Sequence, residues 1–226
     1  MESFDNNDLC FYNKRVTQAD NIAALDLLFD CGFYIDCGFI NLNPLSTAES
    51  IKTNYQFSKK YGFFYDYHFN TKLSIFYGSE MYVKIKDLGL LKDSYSYINT
   101  LEYHYLNPDA AHIAERLSCA NHMSLYRGDE MKYIDFKSCF LSIMSVYDEE
   151  EVYSYKQTVT PLIKELSDIK FDMFFEIIYS DTDISEIMNK YNPIIERCYA
   201  NINIISRKLS KDKRYLRYLV NKKSGR

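Results

Sequence analysis

Three short runs rich in aromatic and β-branched residues, 63–69, 72–77 and 80–86, follow one another with only Asn70-Thr71 and Gly78-Ser79 between them. Such runs, bounded by turn-forming pairs, predict an antiparallel β-meander. Helix signals flank it. Thr17 with Asp20 forms a capping box for a helix near 18–30, with Ile22, Leu25, Leu28 and Phe29 on one face and Gly32 ending it. Residues 33–42 read as a strand or a bent strand pair, and Asn43-Pro44 turns the chain. Ser46 with Glu49 caps a second helix running to Lys60, with Gly62 where a terminating glycine belongs. Asn107-Pro108 opens a helix near 108–119.

In the second half, Met131–Lys137 reads as a strand and 138–147 as an apolar helical stretch. Thr160-Pro161 opens another helix, Phe171–Tyr179 reads as an apolar strand, and from Asp183 onward the pattern is helical with a break at Asn192-Pro193. The expected class is therefore α+β: an antiparallel sheet with helices packed around it and a helical C-terminal region. Three regions are expected: 1–122, a mixed α+β region holding the meander at 63–86; 123–206, an α/β region; and 207–226, a basic helix or tail.

Composition bounds the function. Apolar residues make up 47% of the 226-residue chain and charged residues 26%, enough to fill a core and incompatible with a disordered tail, a collagen-like repeat or a membrane span. The net charge of −4 is unevenly spread: residues 207–226 carry nine basic side chains against Asp212, leaving −12 on residues 1–206. An acidic body with a basic end suits contact with nucleic acid, anionic lipid or an acidic partner, or is simply a solvated terminal helix. The six cysteines form no CxxC pair, and the acidic start Met-Glu-Ser-Phe-Asp lacks the apolar run of a signal peptide, so reduced thiols in a cytoplasm are expected. Cys31 and Cys37, in a repeated Asp-Cys-Gly-Phe phrase, are expected to be small buried side chains. His68, His104, His112 and His122 share no metal-ligand spacing. The excess of Lys over Arg, with frequent Ile and Asn, suits an AT-rich genome such as that of a virus, mobile element, low-GC bacterium or parasite.

Three fragments stand in order: Tyr126-Arg127-Gly128, then Tyr133-Ile134-Asp135-Phe136-Lys137-Ser138-Cys139-Phe140-Leu141-Ser142-Ile143-Met144, then Ile178-Tyr179-Ser180-Asp181-Thr182-Asp183. Together they resemble the palm motifs of family B DNA polymerases, especially the protein-primed branch, although Leu141 replaces the motif's proline and Asp129 the second glycine of its loop. The interval of 46 residues between Asp135 and Asp181 is similar also to the palm of nucleotidyl cyclases. The resemblance implies a palm-like, Mg²⁺-dependent nucleotidyltransferase, or a degenerate polymerase-derived protein, acting on nucleotides or nucleic acid. Asp135 and Asp183 would bind metal with Asp181 assisting, because two divalent cations must bridge the triphosphate and the attacking hydroxyl. Tyr126 and Arg127 would touch nucleic-acid backbone, as would Lys213, Arg214 and Arg217.

The same residues admit a plainer reading. Asp183-Ile184-Ser185-Glu186 has the form of a helix N-terminal cap, and Asp181 would favour the positive end of that helix. A second functional expectation follows: a non-enzymatic viral or mobile-element accessory protein that binds a partner protein through a Tyr-rich surface. Tyr95, Tyr97, Tyr103 and Tyr105 alternate, as do residues stacking on bases or lining the buried face of a strand.

Overall fold

A computed structural model describes residues 1–31, 35, 38–64, 66–92, 100–123 and 150–223, with the backbone alone for 66–67, 150–160 and 205–223. The described residues are mostly helical. The helices are α1 (Asn6–Phe11), α2 (Gln18–Asp30), α3 (Ala48–Tyr61), α4 (Asp66–Asn70), α5 (Glu80–Asp87), α6 (Pro108–Met123), α7 (Glu150–Tyr179) and α8 (Ile184–Lys223). The chain divides into two compact units: Met1–Met123 with Phe174–Ile187, and Ser124–Met173 with Met188–Arg226.

The expected antiparallel sheet is not found among the described residues. Among the described residues, extended segments meet only as isolated bridges, Leu42 with Lys72, Ile75 with Leu101, and Leu91 with Tyr103. Two of the three runs assigned to the meander contribute helix instead. The reason is local at Gly78-Ser79: Ser79 accepts a hydrogen bond from Tyr82 N at 3.1 Å, so it starts α5 rather than turning a hairpin. Tyr82 and Ile85, three apart, are then buried while Val83 is exposed, a helical and not an alternating pattern. Phe171–Tyr179 is likewise helix and not strand. Its buried positions 171, 173, 174, 177 and 178 include the helical spacings 171/174/178 and 173/177, and Asp172 and Phe175 face outward. Pro161 and Pro193 lie inside α7 and α8, so neither the expected helix start nor the expected break occurs. The segment 131–147 lies outside the described residues.

Helix ends with side-chain caps agree closely with the sequence signals. Thr17 and Asp20 form the expected capping box of α2. At α3 the box is shifted by one residue, to Thr47 and Ser50. Ser46, buried, instead accepts from Asn43 N at 2.9 Å in the preceding turn. Gly62 ends α3 with φ 71°, the left-handed conformation that costs any Cβ-bearing residue free energy. Gly62→Ala is expected to lower stability by about 1 kcal/mol and Gly62→Asn by less. Urea unfolding of the three proteins checks this, and equal stability would remove the backbone argument.

In the first unit one apolar cluster holds Phe4, Leu25, Phe39 and Phe63, with Phe57 and Tyr61 against it. A second holds Ile75, Tyr82, Ile85, Leu90, Leu101 and Tyr103. The first unit also holds a buried polar network. Asp8 accepts from Ser3 Oγ at 3.0 Å and from Asn43 Nδ2 at 2.8 Å. Asn43 Nδ2 also donates to Tyr12 Oη at 2.9 Å, Asn54 Oδ1 accepts from Phe4 N at 2.9 Å, and the single proton of Ser3 Oγ is shared between Asp8 and Asn54, each 3.0 Å away. This network ties residues 3–12 to α3 and the loop before it.

The end of α7 is held by α6. Arg116 Nε donates to the Ile177 carbonyl at 2.9 Å, and Nη2 donates to the Thr182 carbonyl at 2.9 Å. A guanidinium there satisfies a carbonyl that the helix end leaves without a backbone donor. Phe174 stacks on Phe69 with ring centroids 3.8 Å apart. In the second unit Leu166, Phe171 and Met173 from α7 and Met188, Ile195, Cys198 and Ile202 from α8 are buried. Glu165 lies 3.9 Å from Arg197 across the two helices.

Candidate functional site

The turn between α7 and α8 carries two of the carboxylates expected to bind metal. Both Asp181 and Asp183 are exposed. Asp183 stands at the N-cap of α8: its carbonyl accepts the first helical bond from Ile187 N, and Oδ1 accepts from Ser185 N at 2.7 Å and from Ser185 Oγ. These donors, the Ser185 hydroxyl foremost, hold its carboxyl below the usual carboxylate range. The carboxylate is thus committed to the orphan N–H groups of a helix start.

That geometry overturns the expectation of a palm nucleotidyltransferase. A palm presents its carboxylates from neighbouring strands. Here Asp181 and Asp183 sit in a tight link between two helices, with no paired strands around them among the described residues. The Mg²⁺ expectation falls with it, since the described residues include no group of three His, Cys, Asp or Glu side chains able to hold a metal ion. Asp135, Tyr126 and Arg127 lie outside the described residues. Lys213, Arg214 and Arg217 lie in α8, where the backbone is helical through Lys223.

The Tyr-rich surface is also corrected. Tyr103 is buried in the second apolar cluster, with its hydroxyl donating to the Leu42 carbonyl at 3.1 Å, and Tyr105 packs edge-on against it. Their alternation reflects an extended segment with a buried face. Tyr95 and Tyr97 lie outside the described residues. His104, His112 and His122 are exposed or half-exposed, whereas His68 is buried between Phe39 and Phe63. Cys31, expected to be buried, is exposed.

Sequence reading missed one place where chemistry-bearing side chains converge. Asp26, Phe29 and Asp30 of α2 and Lys60 and Tyr61 of α3 line an open cleft of about 440 Å³. Tyr61 Oη donates to Asp26 Oδ1 at 2.8 Å, and Lys60 Nζ donates to Tyr61 Oη at 3.0 Å. Lys60 Nζ also lies 3.8 Å from Asp26 Oδ1 and 4.7 Å from the Tyr61 ring centroid. The one available signal was Phe29, placed on the apolar face of its helix by sequence but half-exposed in the structure.

Fold and site together define a mostly helical protein whose acidic first unit carries a buried polar network and whose second unit ends in a long basic helix. No helix among the described residues is long and apolar enough to cross a membrane. No family model and no curated protein matches the chain. Among solved structures, it is similar to a cobalamin-dependent S-adenosylmethionine radical enzyme, OxsB. The form with aqua-cobalamin bound matches at 16% identity and TM-score 0.48, over 95% of this chain and 37% of that one. The form with aqua-cobalamin and S-adenosylmethionine bound matches at 18% identity and TM-score 0.45, over the same shares. The chain therefore spans little more than a third of the length of the enzyme it resembles.

Proposed function

We propose that the protein binds a polyanion, nucleic acid in the first place, through the basic C-terminal part of α8. The observation that carries this reading is the continuity of the helix. The backbone is helical through Lys223, so the basic positions of 207–223 are spaced along one helix. At about 1.5 Å per residue the segment is roughly 25 Å long. Eight of its residues are basic and one, Asp212, is acidic.

Helical register sorts these positions. At about 100° per residue, Arg207, Lys208, Lys211, Arg214, Arg217 and Lys222 fall within one half of the circumference. Leu209, Leu216, Leu219 and Val220 fall in the other half, together with Lys213 and Lys223. A row of cations on a preformed helix neutralises successive phosphates and releases their counterions, the main source of sequence-independent nucleic-acid affinity.

The test is fluorescence anisotropy of a labelled duplex DNA titrated with the full chain at several salt concentrations. The expected affinity falls steeply with salt. The triple variant Lys211→Gln, Arg214→Gln, Arg217→Gln, all on the basic half, is expected to flatten the log–log slope by about one unit for each phosphate it no longer neutralises. A salt-independent affinity, or a triple variant that binds as the native chain does, overturns the proposal. So does preferential binding to phosphatidylserine vesicles, which would make α8 a membrane-surface helix.

A further inference from the structure

We infer that the α2–α3 cleft is a binding site for a guanidinium group. The inference is independent of the polyanion reading and concerns the opposite kind of charge.

The cleft has an aromatic floor anchored in the core. Phe57 stacks on Phe4 at 4.6 Å and 14°, Phe4 on Tyr61 at 5.9 Å and 8°, and Tyr61 on Phe29 at 5.7 Å and 11°. Four nearly parallel rings thus run from Phe57 through the fully buried Phe4 and then Tyr61 to Phe29, which is 43% exposed. Because its inner members are packed into the first apolar cluster, the outer pair is held in place before any ligand arrives. That lowers the ordering cost of binding.

Two carboxylates line the cleft together with the ring that ends the stack. Asp26 is occupied, accepting from Tyr61 Oη and facing Lys60. Asp30, one turn further along α2, lines the cleft and is exposed. With Lys60 as the lone cation among the described residues that line the cleft, the lining side chains carry a net charge of −1. A half-exposed ring beside carboxylates selects a planar cation. Guanidinium lies flat on an aromatic face while its edge donates two parallel N–H bonds to a carboxylate, which a tetrahedral ammonium cannot match. Lys60 illustrates the preference for positive charge: its ammonium already sits over Tyr61 and next to Asp26, as a tethered competitor.

The chemistry is the same whether the group belongs to a free small molecule or to an arginine of a peptide, and separate arms distinguish the two. The full chain is titrated with methylguanidinium, with n-butylammonium, and with the peptide Gly-Gly-Arg-Gly-Gly, while backbone amide resonances are followed by NMR. Methylguanidinium is expected to shift the amides of 26–31 and 58–62 saturably, about tenfold more tightly than n-butylammonium. Tighter binding of the peptide than of methylguanidinium assigns the site to arginine side chains, and the reverse to a small molecule. Asp30→Asn and Phe29→Leu are each expected to weaken binding about tenfold. Both positions are solvent-exposed, so neither change opens the core. Lys60→Met is expected to tighten it severalfold by freeing Asp26. Absence of a saturable shift in these amides overturns the inference, as does equal affinity for n-butylammonium or indifference to both Asp30→Asn and Phe29→Leu.

Discussion

Phe4→Ala is expected to lower the stability of the first unit by about 3–5 kcal/mol, the range found when a fully buried phenyl ring is cut back. Phe4 has no exposed surface, and its ring is the hub of the aromatic cluster, 4.6 Å from Phe57, 5.8 Å from Phe39 and 5.9 Å from Tyr61. Its main chain is pinned independently. Phe4 N donates to Asn54 Oδ1 at 2.9 Å, and the Phe4 carbonyl accepts from Gln18 Nε2 at 2.7 Å. The backbone therefore cannot easily slide to fill the void, and the cavity remains. Phe4→Leu, which keeps most of the volume, should cost about 1.5 kcal/mol or less. Urea unfolding followed by circular dichroism measures both. A loss under about 1 kcal/mol for the alanine variant would mean that the cluster collapses around the gap and that Phe4 is not its centre.

Asp8→Asn has an effect of similar size and a distinctive signature in pH. Burial raises the Asp8 carboxyl to about 6 from 3.8, opposed only in part by the hydrogen bonds from Asn43 and Ser3. The folded state thus holds a proton on Asp8 over a range where the unfolded chain has already released it. Stability contributed by this group is highest at and below about pH 4 and falls as pH rises to about 6. It is level above that, at a deficit of about 3 kcal/mol. Asn carries no charge to desolvate, so Asp8→Asn should remove this slope and be more stable than the native chain at pH 7. Chemical denaturation at pH 4, 5, 6 and 7 decides the matter. A variant that keeps the native slope would place the titration elsewhere, and one that is weaker at every pH would mean that the network needs both carboxylate oxygens.

The helix ends were readable in the sequence because a cap is made by residues three apart. Thr17 with Asp20, Gly62 after α3 and Pro108 at the start of α6 each act on backbone groups within one turn, and each occurs where expected. Asp183 belongs with them: its plainer reading as a cap needed only Ser185. The β-rich runs were misread because composition does not reveal which side of a segment will be buried. Tyr82 and Ile85 suit a strand and a helix equally well until Ser79 starts the helix and the second cluster covers that face. The palm resemblance failed for a related reason. The order Asp135, Asp181, Asp183 says nothing of the surrounding architecture, and in the structure the last two join helices.

The α2–α3 cleft was invisible for a different reason. Phe29 and Tyr61 are 32 residues apart, and nothing local to either announces that their rings stack. The same holds for Asp8, Asn43 and Asn54, ordinary polar residues in sequence that become a buried network only when three segments close around them. By itself the sequence determined where several helices begin and end and where positive charge accumulates, because capping and Coulomb repulsion act over a few residues along the chain. Only the tertiary structure decided which apolar runs became helix, which polar groups were buried and which aromatic rings reached the surface. Those outcomes depend on what distant segments bury, and burial is a property of the whole packed unit.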